Sequence, residues 1–223
     1  MAISYIKQVH QSTPAAGTGT YTLAVTNSPS AGNLVVLHGR GGGGTVFSSV
    51  SDSKGNTWTI DHGTGNSGTA ATISIASSVL TSTLTTSDTI TVVYTGTAAT
   101  SRTMAAYEFS GIDPISKLDV VSTIASGTGT SATTTATSSL NRNGSLVFAA
   151  VATNSGNTYT PSSGYTAINT TLATAFSGAA YQISTDQTGK SITFTWTTSG
   201  TYGAGIVVYK PKLPSNLLLL GVG

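Results

Sequence analysis

The chain carries almost no charge. Asp, Glu, Lys and Arg together make up 7% of its 223 residues, against roughly 25% in ordinary globular proteins. It has no cysteine, which excludes a disulfide framework and a thiolate zinc site. Its six lysines and three arginines are scattered, for a net charge of +2. No basic cluster is interleaved with aromatics, so nucleic acid is not an expected partner. Long apolar runs are missing as well. The longest is the seven residues 146–152 (LVFAAVA), and the C-terminal leucine run at 217–220 is only four, far too short to cross a bilayer, so membrane insertion is not expected. The N-terminal stretch has neither an apolar segment of signal-peptide length nor a small-residue cleavage site. The expectation is a protein made in a cytoplasm without a leader.

Thr, Ser, Gly, Ala and Asn take the place of charge. Between them, Val, Ile, Tyr and Phe recur at strand spacing, which argues for a folded chain with a hydroxyl-coated surface. No stretch sustains a 3.6-residue period with helix caps. The spacing predicts strands over 3–10, 21–26, 33–40, 57–60, 72–80, 89–95 and 103–110. A second series is predicted over 118–123, 133–137, 145–152, 175–183, 191–197 and 203–210. Residues 89–95 (TITVVYT) and 191–197 (SITFTWT) alternate apolar and mostly threonine positions, and threonine's branched Cβ suits an exposed strand face. Many short strands at this spacing predict an all-β protein.

The two series resemble each other. Residues 6–36 align without a gap on 118–148, placing Gly32-Asn33-Leu34-Val35-Val36 over Gly144-Ser145-Leu146-Val147-Phe148. Asn56-Thr57-Trp58-Thr59 recurs as Asn157-Thr158-Tyr159-Thr160, and 104–109 recurs loosely as 204–209. What recurs is strand and turn pattern, with no shared reactive residue. The expected architecture is two tandem, pseudo-repeated antiparallel β-sandwich lobes, jelly-roll-like, over 1–112 and 113–212, with an apolar C-terminal tail over 213–223. One larger jelly roll built from both repeats is the alternative. Each half is thin as a free-standing core, and the linker around Asp113-Pro114 is short, so the halves should dock closely.

The reactive inventory is small: Asp52, Asp61, Asp88, Glu108, Asp113, Asp119, Asp186, His10, His38 and His62. A glycosidase needs two carboxylates across one cleft. Asp52 and Asp61 flank the first aromatic strand, yet each sits beside a turn, where Asp is favoured for local hydrogen bonding. Asp61-His62 reads as a solvated loop. A metal would need His10, His38 and His62 to converge, and neither metal nor cofactor is expected. Asp52-Ser53-Lys54-Gly55-Asn56 has the outline of a calcium loop but lacks the later bidentate acid and contains a lysine. It reads as a hairpin turn.

Arg40, followed by Gly41-Gly42-Gly43-Gly44, reads as the start of a flexible surface loop and as a candidate ligand contact. Trp58 and Tyr159 occupy equivalent repeat positions, as do Tyr94 and Trp196, so these four are expected to pack. Tyr202, in a Gly/Thr-rich loop, is the better candidate for stacking on a sugar. Leu217, Leu218, Leu219, Leu220 and Val222 are exposed-leucine candidates for docking a partner. The plainer alternative is that they close a groove on their own domain.

The motifs Gly32-Asn33-Leu34-Val35-Val36, Val50-Ser51-Asp52-Ser53-Lys54-Gly55-Asn56-Thr57-Trp58 and Glu108-Phe109-Ser110-Gly111-Ile112 resemble those of β-sandwich modules. Such modules occur in phage virion structural proteins and large bacterial surface proteins. The resemblance runs to about Lys210. It implies a non-catalytic domain used for display, adhesion or coat reinforcement, and supplies no catalytic residues. The resulting expectation is a virion protein that decorates or cements a capsid by binding the major capsid protein or another virion protein. A homo-oligomer is expected, a trimer being compatible with a threefold lattice position. The alternative is an adhesin or tail-fibre module that binds a host-surface glycan.

Overall fold

The computed structural model describes residues 2–12, 19–63, 71–96, 102–168 and 176–214. Among these there is no helix. The first half contributes β1 (Ser4–Gln11), β2 (Thr20–Ala24), β3 (Leu34–Gly42), β4 (Phe47–Asp52), β5 (Thr59–His62), β6 (Ala71–Val79), β7 (Thr89–Tyr94) and β8 (Met104–Ser110). The second contributes β9 (Leu118–Val121), β10 (Ala125–Thr133), β11 (Leu146–Thr153), β12 (Thr160–Pro161), β13 (Thr166–Ala167), β14 (Ser177–Ile183) and β15 (Thr193–Tyr209).

The chain is all-β with antiparallel pairing in every ladder. In the first half a five-stranded sheet, β1-β8-β3-β6-β5, faces a three-stranded sheet, β2-β7-β4. In the second half one seven-stranded sheet does both jobs, because β15 belongs to two layers. Its early residues pair with β12 and the late part of β10. Its later residues pair with β11 and β9. Phe194 and Trp196 near its start pack in the same cluster as Ile206 and Val208 near its end, so the sheet folds over itself.

The registers of the two halves coincide. Leu34 pairs with Val79 and Phe109, and Leu146 pairs with Ile183 and Tyr209. Gly32 donates its amide to the Leu80 carbonyl and Gly144 donates to that of Ser184, both at 2.8 Å. Both glycines take a positive φ, 85° and 76°, which a side chain would resist. The paired turns thus start β3 and β11 in the same register.

Alternation along β3 and β11 organises the whole interior. Leu34 and Val36 point into a central cluster, whereas Val35 and Leu37 point into a cluster private to the first half. Leu146, Phe148, Ala150 and Ala152 enter that same central cluster, and Val147, Ala149 and Val151 enter one private to the second half. The two sandwiches therefore stand back to back and share a core. Phe148 touches Tyr107 and Phe109 of the first half, with ring centroids 6.1 and 6.4 Å away. Tyr209 adds a polar tie by donating its hydroxyl to Asp61 at 2.8 Å.

Three expectations need correction. The glycine run is not a surface loop from Gly41 onward: β3 continues through Gly42, and Arg40, Gly41 and Gly42 are buried. A Cβ on Gly41 would stand 1.9 Å from the Thr45 carbonyl oxygen, so the tight return of the chain, rather than flexibility, demands glycine there. The strand expected over 133–137 lies earlier, at β10. The strands expected over 191–197 and 203–210 are one continuous strand, so Tyr202 lies within β15 rather than in a loop.

A shared core couples the halves energetically. Phe148→Ala is expected to cost about 3–5 kcal/mol, and wild-type protein should unfold in one transition by calorimetry and circular dichroism alike. Two resolved transitions, with only one displaced by the substitution, would show that the halves fold independently.

Candidate functional site

At the loop end of the double sandwich lie the two residues expected to touch a ligand. Arg40 is 2% exposed. Its guanidinium lies 5.1 Å from the centre of the Phe176 ring, a cation–π approach. Burial lowers its pKa. It is not displayed to solvent, because β3 is covered on both faces up to Gly42. Tyr202 is half-buried. Its ring meets Trp196 edge-on at 5.7 Å, and Trp196 meets Tyr159 at 5.8 Å. The Tyr159 hydroxyl is 2.6 Å from Thr153 Oγ1. Tyr202 also covers Gly127, where a Cβ would approach its hydroxyl to 2.8 Å. It is the rim of an aromatic stack rather than a projecting contact.

The four repeat-equivalent aromatics pack. Tyr94, Tyr159 and Trp196 are buried. Trp58 leans on the first half's own core and donates Nε1–H to Asp52 at 2.7 Å. The repeated asparagine before each aromatic strand turned out to matter more than the sequence suggested. Asn56 is buried and its Oδ1 accepts from the Thr81 and Ser82 amides at 2.9 and 2.8 Å. Asn157, also buried, bonds both the amide and the carbonyl of Thr198, at 2.9 and 3.2 Å. Each pins a distant turn. The recurrence of Asn in both halves was the signal that could have revealed this.

The seven carboxylates all lie within the described residues. Asp52 accepts from the Lys54 and Asn56 amides as well as Trp58, so the chain turns there, but not as the expected hairpin: β4 pairs with β7 and β5 with β6, and the turn carries the chain from one sheet to the other. Asp61 lies in β5, not in a loop, and accepts from Thr59, Ser77 and Tyr209. Asp88 accepts from Thr85 and Ser53, which hold its pKa down at about 2. Asp186, bonded by Lys190 and Thr188, is likewise lowered to about 2. Asp119 accepts twice from Asn141. Asp52 and Asp61 share no bonding partner.

The histidines do not converge. Among the described residues no group of three or more His, Asp or Glu side chains is arranged to hold a metal. His38 stacks on Tyr107, with centroids 5.8 Å apart and planes 5° from parallel, and is fully buried in the central core. Burial lowers its pKa to about 3. Burial also depresses His10 and His62, although the Ala24 and Ser122 carbonyls partly counteract it.

The opposite end, the foot of the molecule, is where concavity and exposed apolar surface meet. One cleft, about 470 Å³, is lined by Ile3, Arg142, Gly144, Ile183, Leu213 and Pro214 among others. A second, about 290 Å³, shares Leu213 with it and adds Pro114 and Ile115. A third, about 260 Å³, shares Pro114 and Ile115 and continues to Val79 and Lys117. Together they form a chain of clefts across the linker between the halves. Ile115 is 95% exposed, yet its loop is held firmly. Asp113 Oδ1 accepts from the Ile115 and Ser116 amides at 3.0 and 3.1 Å. Asp113 Oδ2 takes a 2.8 Å bond from Arg142, which also donates to the Pro211 carbonyl. Burial raises the Asp113 pKa, but the Arg142 bond and the two amides outweigh it, and the net shift is downward. Leu217, Leu218, Leu219, Leu220 and Val222 follow Pro214 in sequence and lie outside the described residues.

Comparison with protein-family models, curated proteins and solved structures found no match for this chain.

The neutral, buried imidazoles make stability depend on pH. A His whose folded pKa is depressed binds fewer protons than its unfolded counterpart, so stability falls as pH drops below about 6.5, the unfolded value. For His38 that loss should continue to about pH 3. Urea titrations across this window should show a falling midpoint, and His38→Phe should flatten part of the slope. An unchanged midpoint from pH 7 to pH 4 would contradict the burial argument.

Proposed function

We propose that this chain is a non-enzymatic structural component of a phage virion, decorating or cementing a capsid by burying its apolar foot against the coat. The observation that carries the reading is Ile115. It is presented at 95% exposure by a loop braced through Asp113 and Arg142, between clefts that also contain Leu213. Ordered, solvent-facing apolar groups beside clefts are the usual mark of a contact surface. The leucine run at 217–220 begins three residues beyond Pro214, which lines the 470 Å³ cleft. An extended chain covers at most about 3.3–3.6 Å per residue, so the run starts within reach of the foot.

The chemistry of the carboxylates supports the non-enzymatic part. Each accepts at least two hydrogen bonds within the protein. An acid–base pair needs carboxyl groups turned toward a cleft with a proton to exchange. The low surface charge suits close packing on a protein lattice, since little charge has to be desolvated. An oligomer, in which neighbouring copies share the foot contacts, is part of the same proposal.

The test is cosedimentation of the purified protein with capsids that lack it. Saturable binding at a fixed ratio to coat protein is expected. Ile115→Asp should weaken it at least tenfold, because one buried apolar contact replaced by a carboxylate exceeds about 1.4 kcal/mol. Removal of residues 215–223 should weaken it further, without shifting the unfolding midpoint. Absence of capsid binding, with binding to host cells instead, would replace this reading by the adhesin alternative.

A further inference from the structure

Glu108 in β8 corresponds by repeat position to Val208 in β15. The valine belongs to the second half's own core, and the glutamate side chain is 1% exposed. Its Oε1 accepts from the Ser30 amide at 2.8 Å and from Asn33 Nδ2 at 2.7 Å. Its Oε2 is buried and accepts no hydrogen bond among the described residues. Lys7 Nζ lies 3.4 Å from that oxygen. The same amine donates to the Ser28 carbonyl at 2.5 Å, on the segment that leads to Asn33.

Register explains the gathering. Lys7 is the cross-strand partner of Glu108, and Glu108 is the partner of Val35. Asn33 precedes Val35 by two residues and so shares its face. One buried carboxylate thus bridges a primary amine from one strand and a carboxamide from the lead-in to another.

We propose that Lys7 and Asn33 become joined by an isopeptide bond, with Glu108 as the proton carrier. Lys7 Nζ gives a proton to Glu108 Oε2 and attacks Asn33 Cγ. The new C–N bond forms as the Cγ–Nδ2 bond breaks. The proton held by Glu108, together with the one released by the attacking nitrogen, leaves on Nδ2 as ammonium. A protonated amine and a carboxamide enter, an amide and ammonium depart, and no oxidant or co-reactant takes part. The amine must swing from the Ser28 carbonyl until it is about 3–3.5 Å from Cγ, the separation of a near-attack pair. The bond would tie β1 to the start of β3 beside the first half's own core and close a loop in the unfolded chain.

Intact-mass spectrometry of the purified wild-type protein tests the proposal directly. The expected mass falls short of the sequence mass by one ammonia, and digestion should yield one branched peptide joining Lys7 to Asn33. Lys7→Arg keeps the charge but removes the nucleophile. It should restore the full mass and lower the melting temperature. Glu108→Gln should also restore the full mass, and Asn33→Asp should change the loss from ammonia to water. A wild-type protein of full sequence mass overturns the proposal. So does an ammonia loss that persists in Lys7→Arg, which would place it in a succinimide such as one at Asn143-Gly144.

Discussion

Two-sided burial of the central strands is the constraint on which everything else rests. A strand in an ordinary sandwich hides one face and shows the other to water, so its apolar residues alternate with polar ones. In this protein β3, β6, β8, β11 and the end of β15 hide both. Each of the three apolar clusters takes alternate residues from them, and the cluster in the middle belongs to neither half alone. Separating the halves would uncover Phe109, Phe148, Tyr107 and Tyr209, all at 0% exposure. Each thin sandwich gains from the other the apolar burial that a domain of about 100 residues struggles to supply.

That constraint dictates where polarity is allowed. Deep groups need partners or must stay neutral. Asp61 is bonded by Tyr209 from the other half, Asn56 and Asn157 by the turns they pin, and His38 is held neutral against Tyr107. The scarcity of charge follows the same logic. With four stacked layers, the positions that face water lie on the outer strands, and threonine and serine fill most of those. The carboxylates that remain serve as staples for turns and seams. The linker is the clearest case: one aspartate fixes its turn, and one arginine clamps it to Pro211.

The all-β class and the correspondence of Gly32-Asn33 with Gly144-Ser145 ahead of β3 and β11 were legible in the sequence, because short apolar runs led by the same turn residues are local signals. β4 was missed: Phe47–Asp52 carries three serines and little hydrophobic pattern. It is a strand because β7 supplies a partner. The continuity of β15 was also hidden, since Ser199-Gly200 reads as a break until β10 is seen to pair across it. The burial of Arg40 could not be read locally, because a Gly run looks the same whether it is loose or tightly returned. As for sites, the packing of the equivalent aromatics was legible from their recurrence. The exposure of Ile115 was not, since nothing in Pro114-Ile115-Ser116 says which way its side chain faces.

Differences between matched positions separate what the scaffold requires from what one half adds. Ile90, Val92 and Tyr94 correspond to Ile192, Phe194 and Trp196, and all six are buried, so the scaffold asks only for apolar bulk there. At Glu108 and Val208 the match fails. A valine suffices for the fold at that position, and a buried carboxylate costs desolvation that a valine does not. Ser30 and Asn33 offset part of this cost by bonding Oε1, but Oε2 is left facing only the Lys7 amine. A purely structural glutamate would be expected to use both oxygens, as Asp61, Asp88 and Asp113 do. Glu108 instead holds the Asn33 carboxamide on Oε1 and faces the Lys7 amine with an unfilled Oε2, an arrangement the valine of the other half has no means to make.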